Sequence, residues 1–320
     1  MRYALQRIAQ LILVFVIVTF CVLVAMRIGG GGADELARRM LGGTVSDQQV
    51  ADTVRRYHLD QNYVVQYLYW LKGFVTFDLG FSVANSMKVS RLLAPRAWTT
   101  ILLGLYAIGF GLMIAVPLAV MQAHRRDSWL DRIGNTVSFV GVGVPAVVLG
   151  IFVQLLVAKK LGWFAAVGTS VYPWQDLSEH IHNFALPVLT LVIPQAAIFT
   201  RLLRADMVAT LQSDFITLAS AKGMPTRRIL WRHALRNSML SIVTSVGTSL
   251  GGLLGGAVVV ENLFDLDGIG SQLIVSVLSR DLFTVQACVA FVVFIVVVVN
   301  LLVDLSYALI DPRVARARAT

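Results

Sequence analysis

Six stretches of about 17 or more largely apolar residues decide what this chain can fold into: 8–28, 99–122, 137–157, 184–200, 239–260 and 283–303. At a rise of about 1.5 Å per residue, each is long enough as a helix to cross about 30 Å of hydrocarbon. A bilayer offers no water to unpaired backbone groups, so such a run satisfies its own N–H and C=O groups as a helix. Composition agrees: 57% of the residues are hydrophobic and only 14% are charged, too few to cover a soluble domain of this length. The expectation is an all-α integral membrane protein with six transmembrane helices. The first stretch follows Arg2 and Arg7 and precedes charged sequence without a small-residue cleavage pattern, which reads as a retained span rather than a removed signal peptide.

Basic residues give the orientation, because short cytoplasmic loops are enriched in Lys and Arg. Arg2, Arg7, Arg125, Arg126, Arg132, Arg201, Arg204, Lys222, Arg227, Arg228, Arg232, Arg236, Arg313, Arg316 and Arg318 all fall on one side of a six-span arrangement. The two short loops opposite carry only Lys159, Lys160 and Arg280. Both termini are therefore expected in the cytoplasm, and the net charge of +9 reports topology rather than nucleic-acid binding. Cys21 and Cys288 both lie within spans, which leaves the outer loops no disulfide framework and no cysteine metal cluster.

The outer segment 29–98 opens with four glycines, 29–32, and then turns helical. Ser46 and Gln49 have the spacing of a capping box, Val50, Val54 and Tyr57 repeat at helical intervals, and 62–75 is rich in Tyr, Trp and Leu, as at a membrane interface. A small helical lid or dock fits this pattern, the plainer alternative being a spacer loop. A phosphate-cradling loop needs Gly-Lys before Ser or Thr, and none of Lys72, Lys88, Lys159, Lys160 or Lys222 follows a glycine. Without a Walker A motif, the chain is not expected to bind ATP by that mechanism.

Between the fourth and fifth runs lies DFITLASAKGMPTRRILWRHALRNS, residues 214–238. Ser213 or Asp214 caps a helix of about two turns in which Phe215, Leu218 and Ala219 share a face; Gly223 supplies the stop and Pro225 prevents continuation. From Thr226 a second helix runs unbroken into the fifth span, with Arg228, Arg232 and Arg236 along one side and Ile229, His233 and Asn237 along another. A short amphipathic helix projecting from two spans has the shape for docking in a partner's groove, and Ala219, Ser220, Ala221 and Gly223 permit close backbone approach. The alternative is an ordinary basic loop.

Thr217-Leu218-Ala219, Gly223 four residues after Ala219, and the following RRILWRHALRNS resemble the EAA loop of ABC-importer permeases, more narrowly the dipeptide/oligopeptide/nickel permease family. The family's loop typically reads RTARAKGL and then RRHALRNA, so Ala219, Ala221, Lys222, Gly223, His233, Ala234, Leu235, Arg236 and Asn237 match. The resemblance extends through HLDQNYVVQYLYWLKGFVTFDLG, SWLDR, LGGAVVVENLFDLDGIG and NLLVDLSYALIDPR, which makes it nearly chain-long. Thr217 stands where the general motif has glutamate, Ser220 where a basic residue is common, and 29–32 where a proline-glycine-aspartate turn is usual. The resemblance implies one permease subunit working with a second homologous permease subunit, two ABC ATPase subunits and an extracytoplasmic substrate-binding protein. Nucleotide and magnesium would sit on the ATPases and no cofactor on this chain. It implies an inner-membrane location and short peptides as cargo, with nickel or another small solute as the alternative. Asp214, Phe215, Thr217, Leu218, Ala219, Ser220, Ala221, Lys222, Gly223 and Met224 become the expected coupling residues, with Thr217, Leu218 and Ala219 as the dock. The corresponding division is 1–28 as tail and first helix, 29–98 as outer segment, and 99–320 as the core with coupling segment 204–238.

In the spans, Ser241, Thr244, Ser245 and Thr248 form a polar stripe continued by Gly251, Gly252 and Gly255, which suits either an aqueous path or a close helix seam. Gln195, beside Pro194, joins Ser241, Ser245 and Thr248 as a candidate pathway residue, and Pro117, Pro145, Pro187 and Pro194 mark places where spans are free to bend. Deep Lys or Arg residues are missing from the spans and Asp304 lies near an end, which disfavours an ion-coupled secondary transporter. Asp265, Asp267 and Gly268 lack the remaining ligands of a calcium loop and read as a turn before a short helix at 271–279. Glu179, His180 and His182 read as a solvated interfacial group rather than a metal site.

Overall fold

The computed structural model describes residues 2–42, 45–82 and 84–310; the expected basic tail with Arg313, Arg316 and Arg318 lies outside them. Among the described residues five helices are long and apolar enough to cross a membrane: Gln6–Ile28 within α1 (Arg2–Gly30), α5 (Val89–His124), α8 (Leu177–Leu211), the continuous Thr226–Leu263, and Leu282–Ser306 within α13 (Leu282–Ile310). The protein is an all-α integral membrane protein.

The run at 137–157 departs from the expected single span. It consists of α6 (Trp129–Gly143) and a second helix formed by α7 (Ala146–Val153) with a π-helical extension (Gln154–Lys160), bent by 105° at the break. Pro145 explains the bend, since it lacks an N–H and its ring pushes the preceding residue out of the helical region; Val144 is accordingly extended at φ −81°, ψ 123°. Pro117 in α5 and Pro187 and Pro194 in α8 leave their helices uninterrupted. A proline is therefore only permissive of a break, and α8 carries both of its prolines through a heavily buried helix.

Two units make up the chain. The first is Met1–Thr100 with Asp267–Val298. In it, α2 (Ala33–Leu41) and α3 (Asp47–Arg56) pack through Leu36, Ala37, Val50 and Val54 with Leu59 and Leu282. Ser46 caps α3 as the spacing predicts: Gln49 N–H donates to its Oγ at 3.3 Å, and Ser46 N–H donates to Gln49 Oε1 at 3.0 Å. Asn62 caps α4 (Tyr63–Val75) through Val65 N–H at 2.9 Å. A two-stranded antiparallel hairpin, β1 (Phe81–Ser82) and β2 (Met87–Lys88), was not legible in the sequence. Its Ser82 Oγ donates to buried Asp281 at 2.6 Å, and Asp281 caps the start of α13 by accepting from Thr284. Glycines 29 and 30 continue α1, Arg27 near its end donates to the Leu59 carbonyl at 2.7 Å, and Thr19 meets the Tyr67 hydroxyl at 2.9 Å. Burial of that hydroxyl in α4 raises its pKa, against a smaller lowering by Thr19. The short helix α12 (Ile269–Leu278) follows Gly268, close to its expected place.

The second unit is Ile101–Leu266 with Val299–Thr320. Leu103, Phe184, Leu186, Leu191, Leu250, Leu253, Val260 and Phe264 join α5, α8 and α11 (Leu235–Leu263) in one apolar core. A second core, Ala119, Val120, Ala123, Leu203, Met207, Leu230, Ala234 and Ile242, lies under the base of the segment that follows α8.

Candidate coupling site

After α8 the chain makes a tight turn into α9 (Asp214–Ala221). Ser213 is extended at φ −78°, ψ 152°, and its carbonyl accepts from Ile216 and Thr217 N–H at 3.0 and 3.2 Å. The Ser213 hydroxyl bonds back to the Thr210 carbonyl at 2.5 Å instead of capping α9, while Asp214 puts negative charge in the first turn, where the helix dipole favours it. The other end closes as a Schellman motif: Met224 N–H donates to the Ala219 carbonyl at 3.2 Å and Gly223 N–H to that of Ser220 at 2.9 Å. Gly223 has φ +75° and nothing within 4 Å of where a Cβ would stand, so backbone conformation, not space, calls for glycine there.

Ile216 and Ala219 are buried, whereas Phe215 and Leu218 are 46% and 57% exposed. The expected shared face of Phe215, Leu218 and Ala219 is thus divided: Ala219 turns into its own chain and the other two turn out. Ile216 was missed: its spacing of three from Ala219 makes a second apolar stripe that the sequence alone does not rank against Phe215 and Leu218. Asp214, Thr217, Ser220, Ala221, Lys222 and Gly223 are exposed and Met224 is half-buried.

α9 lies against a π-helical turn, Ile229–Ala234, which follows α10 (Thr226–Arg228) and leads directly into α11. The helix from Thr226 does run into the fifth span, with an extra residue accommodated in a π turn that has no local sequence signal. Arg228, Arg232 and Arg236 are exposed, while Ile229 is buried, His233 half-buried and Asn237 exposed. At the neck, Thr210 Oγ1 meets Ser238 Oγ at 3.2 Å and accepts from Asn237 Nδ2 at 3.2 Å, tying the end of α8 to the start of α11. A second tie joins α6 to α8. Arg204 donates through Nε and Nη2 to both oxygens of Asp131, a pair whose Asp131 side chain is only 2% exposed and also accepts from Asp127 N–H at 3.0 Å. A pair separated by 73 residues has no local spacing signal.

The four candidate pathway residues do not share one environment. Gln195 is buried on α8 beside Gly111 of α5, with Oε1 unpartnered among the described residues. On α11, Ser245 is buried, Ser241 half-buried and Thr248 exposed, the last bonded to the carbonyl of Thr244 in its own helix. Gly251, Gly252 and Gly255 are exposed with open space about them, so within this chain they form no seam; the close approach is at Gly247, against Asn300 and Val303. Arg27, Asp131 and Glu261 are buried and Arg204 is half-buried, each within about two turns of a helix end. His180 is also buried rather than solvated: it meets the Tyr106 hydroxyl at 3.0 Å and the Val171 carbonyl at 2.6 Å. Among the described residues no group of three His, Cys, Asp or Glu side chains is placed to hold a metal ion.

Long apolar helices, two of them joined by a short tied helix, define a multi-pass membrane protein. Residues 95–316 match the family model described as binding-protein-dependent transport system inner membrane component, and the chain belongs to that family. It is 34% identical over 311 residues to a putative peptide transport system permease protein of Brucella abortus, covering 97% of this chain and 98% of that one. It is 32% identical over 314 residues to the oligopeptide transport system permease protein AppB of Bacillus subtilis, at 98% coverage of each. Identity to the nickel import system permease protein NikB of Staphylococcus aureus is 30% over 309 residues, covering 97% of this chain and 90% of that one. Membership makes the chain a permease subunit of an ABC importer, a translocation component rather than an enzyme.

Proposed function

We propose that this subunit moves short peptides inward across the cytoplasmic membrane, with α9 as the helix on which a partner ATPase acts. The observation that carries the coupling role is the division of α9: Ile216 and Ala219 are packed into the chain while Phe215 and Leu218 stand exposed on a helix closed at its C-terminal end. A groove on a partner would take those two side chains as anchors at i and i+3. The working assembly has a second homologous permease subunit, two ABC ATPase subunits carrying ATP and magnesium, and an extracytoplasmic substrate-binding protein. Both termini face the cytoplasm, 29–98 lies outside, and 99–320 forms the translocation core. Exposed Arg228, Arg232 and Arg236 lie at lipid-phosphate level.

Peptide cargo is favoured because relatives matching this chain end to end are named peptide and oligopeptide permeases. Nickel is the second reading, carried by the Staphylococcus relative. The test is purification of tagged wild type, Phe215→Asp and Leu218→Asp from membranes with their companion ATPases, followed by peptide uptake in vesicles. Both variants are expected to insert normally, lose most ATPase recovery and lose uptake. Full ATPase recovery with full uptake, or uptake by this chain alone in nucleotide-free vesicles, refutes the coupling reading; nickel uptake without peptide uptake refutes the cargo.

A further inference from the structure

The segment expected outside the membrane and the start of α13 form a half-open cavity of about 620 Å³, built within the first unit from the ends of α2 and α3, the face of α4, the turn before β1, and the β1–β2 hairpin. That volume lies in the range of sites for small organic ligands. Its walls are aromatic and its polar groups are of both signs. Tyr57 and Phe283, whose ring centroids are 4.9 Å apart, and Trp70 give the apolar surface; Arg56 and Lys88 give positive charge and Asp78 negative. Among the described residues none of those three charged groups has an ion-pair partner, although Arg56 lies over the Tyr57 ring at 5.9 Å. Trp70 is 8% exposed, and its indole N–H is buried without an acceptor among the described residues. That N–H is closed off from the cavity, so Trp70 contributes its ring to the lining and not a donor.

We propose that this cavity binds a short zwitterionic peptide, its carboxylate held by Arg56 and Lys88, its ammonium by Asp78, and its apolar side chain against Tyr57, Trp70 and Phe283. Opposite charges on one lining select a ligand carrying both signs. The choice of a peptide as the zwitterion rests on the peptide reading above. The other source of the same chemistry is a phosphoethanolamine lipid headgroup, and the two part company in competition.

The full-length protein is placed in phosphatidylcholine nanodiscs and titrated with diphenylalanine, with its C-terminal amide, with its N-acetyl form and with phosphoethanolamine. Saturable binding of diphenylalanine is expected. Removal of either ligand charge, or Arg56→Ala with Lys88→Ala, weakens it about tenfold, the usual worth of a charge-assisted contact at a partly exposed site. Tyr57→Ala removes part of the aromatic wall and is expected to weaken binding severalfold. Absence of saturable binding, affinity unchanged in the charge variants, or phosphoethanolamine competing as well as the dipeptide each overturns the proposal. Binding is read without ATPases or transport, so a chain that takes up peptides yet shows no cavity-dependent binding refutes this site alone.

Discussion

Breaking the Asp131–Arg204 pair is expected to have unequal effects from its two sides. Arg204→Met leaves a carboxylate that is 2% exposed, held only by Asp127 N–H and the Asn135 amide, whereas Asp131→Asn leaves a guanidinium that is 19% exposed and within reach of water. Removing one partner of a buried pair costs about 3–5 kcal/mol, and the two retained hydrogen bonds put Arg204→Met near the lower end, about 3 kcal/mol. Solvent screening of the arginine reduces Asp131→Asn to about 1 kcal/mol. The double variant buries no charge at all and is expected to lose about 1 kcal/mol, so the two positions couple by about 3 kcal/mol. Thermal denaturation of the detergent-solubilised complex, read by loss of soluble oligomer, reports these as shifts in apparent Tm. At about 2–4 °C per kcal/mol, Arg204→Met falls by about 10 °C and the double variant recovers most of it. Equal shifts for the single variants, adding in the double, would show that the pair is solvated and that burial does not set its energetics.

Four further outcomes follow from the geometry. Gly223→Ala puts a side chain at φ +75° and is expected to cost about 1 kcal/mol, with Gly223→Asn milder; hydrogen exchange of the Gly223 and Met224 amides reads whether the Schellman closure loosens. Gly247→Ala brings a Cβ within 3.0 Å of Asn300 Oδ1 and 3.3 Å of Val303, an overpacking worth about 1–3 kcal/mol, whereas Gly251→Ala meets nothing within 4 Å and leaves the melting temperature of the lone subunit unchanged. Loss of uptake in Gly251→Ala without loss of stability would therefore locate that face in assembly or in the path. On the proposed reading, Thr210→Val removes both side-chain contacts that tie α8 to α11 while Ser238 keeps its bond to the Ala234 carbonyl and exposed Asn237 turns to water, so it is expected to raise the ATP hydrolysed per substrate moved as much as Thr210→Val with Ser238→Ala does, with little loss of stability.

What the sequence disclosed and withheld divides along physical lines. Hydropathy is a property of one run of residues, so five long helices and the apolar character of the sixth run were legible, as were the Ser46 and Asn62 helix starts and the Gly223 stop, each set by local backbone chemistry. The bend at Pro145 was allowed but not dictated, since Pro187 and Pro194 sit in unbroken helix. Which side of α9 faces home was illegible: Phe215, Ile216, Leu218 and Ala219 give an eight-residue helix two apolar stripes, and only packing chooses between them. The Asp131–Arg204 pair, the Thr210–Ser238 contact and the β1–β2 hairpin with its anchor on Asp281 are tertiary facts without a local trace.

The burial of Ala219 changes what a coupling motif has to accomplish. A small residue at that position permits α9 to settle on the π turn Ile229–Ala234, so its smallness serves the mount rather than the partner. A helix of two turns has little stiffness of its own and is marginal in isolation; its usefulness as a lever depends on what holds its inner face. Ile216 and Ala219 are packed, the C-terminal carbonyls are closed by Gly223 and Met224, and the neck is joined by Thr210, Asn237 and Ser238. On the proposed reading, a push on Phe215 and Leu218 therefore reaches α8 and α11 together, because a close-packed interior yields by shifting between arrangements rather than by local compression. Ala219→Asp and Leu218→Asp then separate the two jobs: the first buries a charge under α9 and lowers the stability of the lone subunit, while the second leaves that stability intact and removes only the grip of the ATPase.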